Sequence, residues 1–571
     1  MINNHGFGTG KIKMYLRAAV VISILAALLC FNTSRAMAAE KEEEPVSTKH
    51  TITLHGEEIE YTATAGTMTI NNGDEECEIF YITYIKDGVE DVSERPITFA
   101  FNGGPGASSS YINFLCMGPK RLELDEKGHA TSLPGKLIDN ENSMLDMTDL
   151  VFIDAIGTGY SRAEENEAFT GYDNDISSVG EFIRLYTNRN KRWASPKYLA
   201  GESYGTIRAV GLCEYLLDQY NMGVNGLMLI SSVNDYSIVF NTPGNDLPYA
   251  LLLPTYAADA RYQGLLDDEY EDMELEEFLD QVREFVSSEY VPALFMGRSL
   301  SKEKQEEIAG KMSDYIGLSE DYILEMDLRV DLYSYIHELL RDKRLMTGRY
   351  DGRFTGPVTD SWDDPSIFDL DTPLYDAMNH YITDELEYTT DTPYVPLNLD
   401  INSMWDFNRD NSFLSQQDTI QRCMTLNSKM KIWVLCGYYD GATPFYGAEW
   451  IFDHVFMDDS LRDNLTFTYY PSGHMIYIDE ESFDKFRKDA EDWYLDKDAE
   501  KEVDPEDEDV RSEAGDEKPQ AYKDLEDSLK RIPYVGDKDL KPDNGPGIRT
   551  GYKFGKAPLS RKIDLLKMAQ S

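Results

Sequence analysis

Short apolar runs recur along the chain at Ile97–Phe101, Leu150–Ile153, Tyr198–Ala200, Leu227–Ile230, Ile432–Leu435 and Leu465–Tyr469. Several of them run into a Gly-containing loop, and helical patterns lie between some of them. That rhythm predicts an α/β fold with a largely parallel central sheet and crossover helices. Ahead of it, Thr51–Leu54 and Ile79–Tyr84 read as antiparallel entry strands, with hairpin signals at Asn72-Gly73 and Asp87-Gly88. Between Leu229 and Ile432 the rhythm stops. Acidic helical segments, Asp268–Phe285 and Lys302–Met312, are followed by a Pro/Asp/Tyr-rich stretch from Tyr350 to Leu399. The pattern predicts a core in two parts, residues 39–234 and 406–497, interrupted by a mostly helical cap over 235–405. A separate downstream domain is the other reading, and it requires the strand at 432 to lie outside the first sheet. After Trp493 a dense acidic run, Asp498–Glu517, leads into a Pro/Gly/Lys-rich end without apolar period, so 498–571 is expected to be a flexible acidic tail.

The first residues change the picture of where the protein works. Lys11, Lys13 and Arg17 precede an apolar run, Ala18–Phe31, and then Ala36-Met37-Ala38, the small-x-small form of a cleavage site. Residues 1–38 therefore read as an export signal, and the mature chain as secreted or periplasmic. The run is short for a membrane span, and Leu28-Leu29-Cys30 lacks the small residue expected before a lipidated cysteine, so no stable membrane insertion is expected after cleavage. A retained signal anchor is the competing reading.

Composition then removes whole classes of function. With 42% hydrophobic and 12% aromatic residues the chain has the material for a large core. Its 104 acidic against 54 basic residues give a formal charge of -50, which repels nucleic acid and anionic lipid. Beyond the signal, Cys77, Cys116, Cys213, Cys423 and Cys436 form an odd set without metal-ligand spacing. No stretch has the spacing of a calcium loop. Neither a metal nor another cofactor is expected.

The candidate chemistry sits where strands end. Gly201-Glu202-Ser203-Tyr204-Gly205 follows an apolar strand and precedes a helical pattern with Ile207, Val210, Leu212, Leu216 and Leu217. Glycines at its ends permit a sharp turn that presents the serine hydroxyl at the sheet edge. A serine needs a base, and the base needs an acid to hold its tautomer. His474, in Tyr470-Pro471-Ser472-Gly473-His474-Met475, and Asp440, in Gly437-Tyr438-Tyr439-Asp440-Gly441, both follow β-rich runs. Their order, Ser203, Asp440, His474, is that of the α/β hydrolases. Asp479 is the next candidate for the acid, while His55, His129, His337, His380 and His454 lack a comparable context. The loop Asn102-Gly103-Gly104-Pro105-Gly106 lacks the Gly-Lys-Ser/Thr ending of a phosphate loop and fits an oxyanion loop, with Gly104 and Tyr204 as backbone donors.

These segments together resemble the serine carboxypeptidase family: the Asn-Gly-Gly-Pro-Gly loop at Asn102–Gly106, the Gly-Glu-Ser-Tyr elbow at Gly201–Tyr204, Gly437–Asp440, and Gly473–Met475. Asp149–Asp154 with Gly157–Ser161 is similar to a further family block. The resemblance covers roughly 95–235 and 405–495. It implies an α/β-hydrolase fold and a metal-free carboxypeptidase acting on peptide or protein substrates through an acyl-enzyme on Ser203. It also implies that Asn102 and Glu202 hold the substrate's C-terminal carboxylate. Two departures stand out: Ala107 replaces a cysteine common in the family, and Cys116 falls where a second clamp glutamate is expected. The competing readings are an esterase or acyltransferase on the same scaffold, and an inactive exported binding protein with the acidic cap as its contact surface.

Overall fold

The computed structural model describes residues 45–72, 75–358 and 364–495. The expected signal over 1–38, the Gly73 of the expected hairpin and the tail over 498–571 lie outside the described residues. The fold is organised on a ten-stranded sheet. Three antiparallel strands lead it, β1 (Val46–Leu54), β2 (Glu57–Asn72) and β3 (Glu75–Lys86). Six parallel strands follow: β4 (Ile97–Phe101), β5 (Asp149–Ile153), β6 (Lys197–Glu202), β7 (Gly226–Ile230), β8 (Lys431–Gly437) and β9 (Leu465–Tyr470). Their spatial order is β1-β2-β3-β5-β4-β6-β7-β8-β9, and a two-residue strand, Arg162–Ala163, pairs with β3.

Burial explains the pattern of the runs. Strands β4 to β7 are buried along their whole length, because helices cover both faces of a parallel sheet. Alternate residues feed two cores. Phe99, Val151, Leu199, Leu229 and Val434 face one, with Ile176, Ile183, Ile207 and Leu212. Ala100, Phe152, Ala200, Met228 and Leu435 face the other, with Leu374, Met378, Phe483 and Phe486. The strands exceed the apolar runs by polar residues that are buried with partners. Asp149, at the start of β5, is held by Arg95 at 3.1 Å and Arg192 at 2.5 Å. The β1–β2 hairpin, unmarked by an Asn-Gly or Asp-Gly pair, turns at His55-Gly56, both with positive φ (50° and 86°), the backbone that suits a two-residue loop.

Strand β8 pairs in parallel with β7, Gly226 opposite Lys431 through Ile230 opposite Leu435, so the intervening chain leaves this sheet and returns to it. Within that stretch two short strands, Leu345–Thr347 and Thr355–Pro357, pair only with each other. The expected continuous helix over Asp268–Phe285 is broken. It forms as Asp268–Glu271 and Leu275–Phe285, with Glu274 extended (φ -60°, ψ 139°). The Arg261 guanidinium donates to the carbonyls of Tyr270 at 3.0 Å, Glu271 at 3.1 Å and Met273 at 2.5 Å, which replaces the amide donors that a continuous helix would supply. The second expected helix runs on from Lys302 to Ile316 and ends at Gly317, whose left-handed backbone (φ 70°, ψ 8°) terminates it. Among the described residues no helix is long and apolar enough to cross a membrane.

Candidate active site

The elbow is built by close backbone approach. A Cβ added at Gly201 would lie 2.0 Å from the Gly205 carbonyl oxygen, and one at Gly205 would lie 2.7 Å from the Phe101 oxygen. Only glycine lets the end of β6 fold so tightly onto the start of the helix that follows, α2 (Tyr204–Tyr220; α1 is Tyr172–Arg189). Between them Ser203 is forced to φ 60° and ψ -128°, a strained backbone for a residue with a side chain. Its flanking residues Glu202 and Tyr204 are buried while Ser203 is partly exposed.

His474 and Asp440 come together from the ends of β9 and β8. His474 Nδ1 lies 2.8 Å from Asp440 Oδ2, and both side chains are buried. Asp440 is itself fixed: Oδ1 accepts from the amides of Ala442 at 2.8 Å and Thr443 at 2.9 Å, and Oδ2 accepts from Thr443 Oγ1 at 2.5 Å. The end of β7 supports serine and histidine together. The Ser203 amide donates to Ile230 O at 3.0 Å, and Ser231 Oγ donates to His474 O at 2.6 Å. Burial opposes a charge on His474, but the charge and hydrogen bond of Asp440, with the charge of Glu202, outweigh it and raise its pKa above the ordinary histidine value.

The Gly-rich loop packs directly on the elbow. A Cβ at Gly103 would stand 2.4 Å from the Tyr204 amide nitrogen, which brings the Gly104 and Tyr204 region into one place. Tyr204 opens α2, so its amide has no acceptor within the helix. Arg208, buried, ties this loop to α1: Nη1 donates to Asn102 O at 2.6 Å, while Nε and Nη2 reach Asp175 Oδ2 at 2.9 Å and Oδ1 at 3.1 Å. Asp175→Ala leaves that guanidinium buried and unpaired, and is expected to cost about 3 kcal/mol, read by chemical denaturation against the parent protein.

Asn102 and Glu202 also meet. Asn102 Nδ2 donates to Glu202 Oε1 at 2.9 Å, Asn102 Oδ1 accepts from the Ile112 amide at 3.0 Å, and Tyr477 donates its hydroxyl to Glu202 Oε2. Burial pushes the Glu202 carboxyl up to about 7, against the pull of the His474 charge and of the Tyr477 and Asn102 hydrogen bonds. Cys116 is buried near enough for the Glu202 charge to add to burial in raising its thiol.

Several contributors carried no sequence signal, because they come from the inserted stretch. Residues 349–352 bind both the Asp440 and the His474 loops: the Gly441 amide donates to Arg349 O at 3.1 Å, the His474 amide to Tyr350 O at 2.7 Å, and the Gly352 amide to Tyr439 O at 3.0 Å. The Tyr350 and His474 rings lie 5.2 Å apart. Residues 395–402 clasp the Gly-rich loop: Asn398 donates its amide to Gly106 O at 2.8 Å, Asn402 Nδ2 reaches Pro105 O at 2.9 Å, and Ala107 forms a bridge with Leu397. Thr443 and Tyr477 lie three residues beyond Asp440 and His474, and that nearness is the one signal that could have found them. Asp479 is engaged elsewhere, 3.2 Å from Arg353 and accepting the Ser482 amide at 3.0 Å. Of the set-aside histidines, His55 and His454 are exposed, and His129 packs 5.0 Å from Phe354.

Known proteins resemble this chain in sequence and in fold. A family model described as serine carboxypeptidase matches residues 55–464, which takes in the inserted stretch and ends before His474. The chain is 30% identical over 170 residues to the pheromone-processing carboxypeptidase KEX1 of Yarrowia lipolytica, covering 28% of this chain and 25% of that protein. Over 148 residues it is 25% identical to the retinoid-inducible serine carboxypeptidase of Mus musculus, covering 25% of this chain and 30% of that protein. The matched part thus spans 25% and 30% of these relatives' own length. The crystal structure of KEX1ΔP, a prohormone-processing carboxypeptidase from Saccharomyces cerevisiae, covers 76% of this chain and 92% of its own with a TM-score of 0.50. At 17% identity that likeness shows the fold, an α/β hydrolase.

Proposed function

Because the chain belongs to the serine carboxypeptidase family, we propose that it is an exported serine-type carboxypeptidase releasing C-terminal residues from peptides through an acyl-enzyme on Ser203. Ser203 Oγ attacks the scissile carbonyl and gives its proton to His474 Nε2, the ring nitrogen that Asp440 does not engage. The developing oxyanion is received by the Gly104 and Tyr204 amides. Nε2 then protonates the departing amine, and water, activated by the same nitrogen, frees Ser203. The stretch over 235–405 acts as a cap whose residues 349–352 and 395–402 brace the catalytic loops. Export rests on the charged, apolar and small-x-small pattern of residues 1–38.

The observation that carries a carboxypeptidase over a general acyl hydrolase is the buried Asn102–Glu202 pair, 2.9 Å apart beside the elbow. A substrate carboxylate and an ionised Glu202 repel at hydrogen-bonding distance, so binding requires the protonated Glu202 to donate. With Glu202 near 7, turnover of free-C-terminus peptides is expected to fall as pH rises through that value. Below the raised pKa of His474 the base is charged, and all substrates slow. Each group favours the other's charge, so the profile reports the pair. A peptide amide or ester lacks the terminal carboxylate and should stay fast on the alkaline side. Glu202→Gln should flatten the alkaline fall and, by removing an anion near His474, move the acid limb to lower pH. The check is kcat/KM against pH for matched free and blocked substrates, and identical profiles would discard the clamp. A C-terminal ladder from one peptide digest tests the activity itself: internal fragments without stepwise shortening would exclude it, and turnover of esters alone would favour the esterase reading.

A further inference from the structure

The inserted stretch brings one cation to the edge of this site. Arg349 follows Leu345–Thr347 and is tied down at its backbone, its amide 2.9 Å from Asp364 Oδ2 and its carbonyl accepting from the Gly441 amide next to Asp440. Its guanidinium lies 4.7 Å over the Tyr350 ring, and that ring is 5.2 Å from the ring of His474. The same charge is felt by His474, Tyr236 and Tyr333. Among the described residues Arg349 makes no ion pair, whereas Arg208 pairs with Asp175 and Arg353 with Asp351 and Asp479. Asp364, whose charge acts on Arg349, spends Oδ2 on the Arg349 and Tyr350 amides and Oδ1 on Ser366.

A partly buried guanidinium has lost water contacts, which the Tyr350 ring face, a hydrogen bond with the Tyr350 side chain and the charge of Asp364 replace only in part. An incoming carboxylate restores them with the paired geometry that arginine favours. The protein as a whole, at -50, repels acidic substrates, so a preference for them cannot come from its long-range field and must come from a local cation. From this placement we infer that Arg349 selects peptides carrying an Asp or Glu side chain at one of the two residues that flank the scissile bond. The inference rests on the carboxypeptidase reading and adds the substrate class to it.

The test compares N-blocked peptides that differ only by Glu or Gln, placed at the last residue in one arm and at the residue before it in the other. The parent enzyme is expected to favour Glu by about tenfold in kcat/KM in one arm, the size of one charge-assisted bond in a partly wet site. Arg349→Met should bring that ratio to near one, and Arg349→Lys, which keeps the charge without the fork, should retain part of it. The ratio is unaffected by any common loss of folding or chemistry. No Glu preference in either arm, or a ratio unchanged in Arg349→Met, would overturn the inference. So would equal slowing of every free-C-terminus peptide with blocked ones spared, which would assign Arg349 to the terminal carboxylate. If peptides are not cleaved at all, the carboxypeptidase reading fails separately. Protection of Ser203 from a fluorophosphonate by the Glu or Gln peptide then reads the same ratio.

Discussion

Ser203→Ala is expected to abolish covalent labelling by a fluorophosphonate and to lower kcat/KM by at least ~1,000-fold, as for triads generally. Ser203 occupies φ 60°, ψ -128° because the flanking glycines let the strand and helix backbones close on each other, and alanine retains the Cβ and therefore the same strain. Its amide bond to Ile230 O is a backbone contact that the substitution keeps. The folded state should thus change little, and thermal unfolding should superimpose on the parent's within ordinary error for a partly exposed site. Residual turnover then measures what the Gly104 and Tyr204 amides and substrate binding supply without a nucleophile. Labelling that persisted in this variant would move the nucleophile elsewhere.

Asp440→Asn is expected to cost roughly 10⁴ in rate at neutral pH, with binding of substrate changed far less. The surroundings decide which way the new amide turns. The Ala442 and Thr443 amides donate to Oδ1, so the Asn oxygen belongs there and its NH2 faces His474. His474 Nδ1 must then accept, which places the ring proton on Nε2 and removes the base from Ser203. Loss of the Asp440 charge also removes the interaction that holds the His474 pKa up, so the acid limb of the profile should shift to lower pH. Pre-steady-state acylation separates this from a folding effect. Near-parent rates would require another acid, and Asp479, committed to Arg353 and the Ser482 amide, is poorly placed to be one.

How much of this was legible follows from how local each signal is. Five of the apolar runs became β4 to β8 because a strand buried on both faces must be apolar at successive positions, whatever lies beside it, while the sixth became the less buried edge strand β9. Ser203, Asp440 and His474 were visible for a related reason: each needs a tight turn at a strand end, and the Gly-x-Ser-x-Gly, Asp-Gly and Gly-His pairs that make such turns are local. The broken helix at Asp272–Glu274 was not visible, since its cause is the Arg261 side chain from another helix taking its carbonyls. Glu202 shows the boundary most clearly. Its place beside Ser203 could be read from the chain, but the burial that raises its pKa to about 7 in the free protein could not.

By itself, then, the amino-acid order determined the sheet, the elbow and the three residues at its edge, because strand burial and turn geometry depend on neighbours a few positions away. Only the tertiary structure decided that Tyr350 would carry the His474 amide, that Asn398 and Asn402 would hold the Gly-rich loop, and that Arg349 would stand near His474 without an ion pair among the described residues. Those contacts join segments separated by more than a hundred residues. They depend on the path of the inserted chain back to the sheet, which no local pattern encodes.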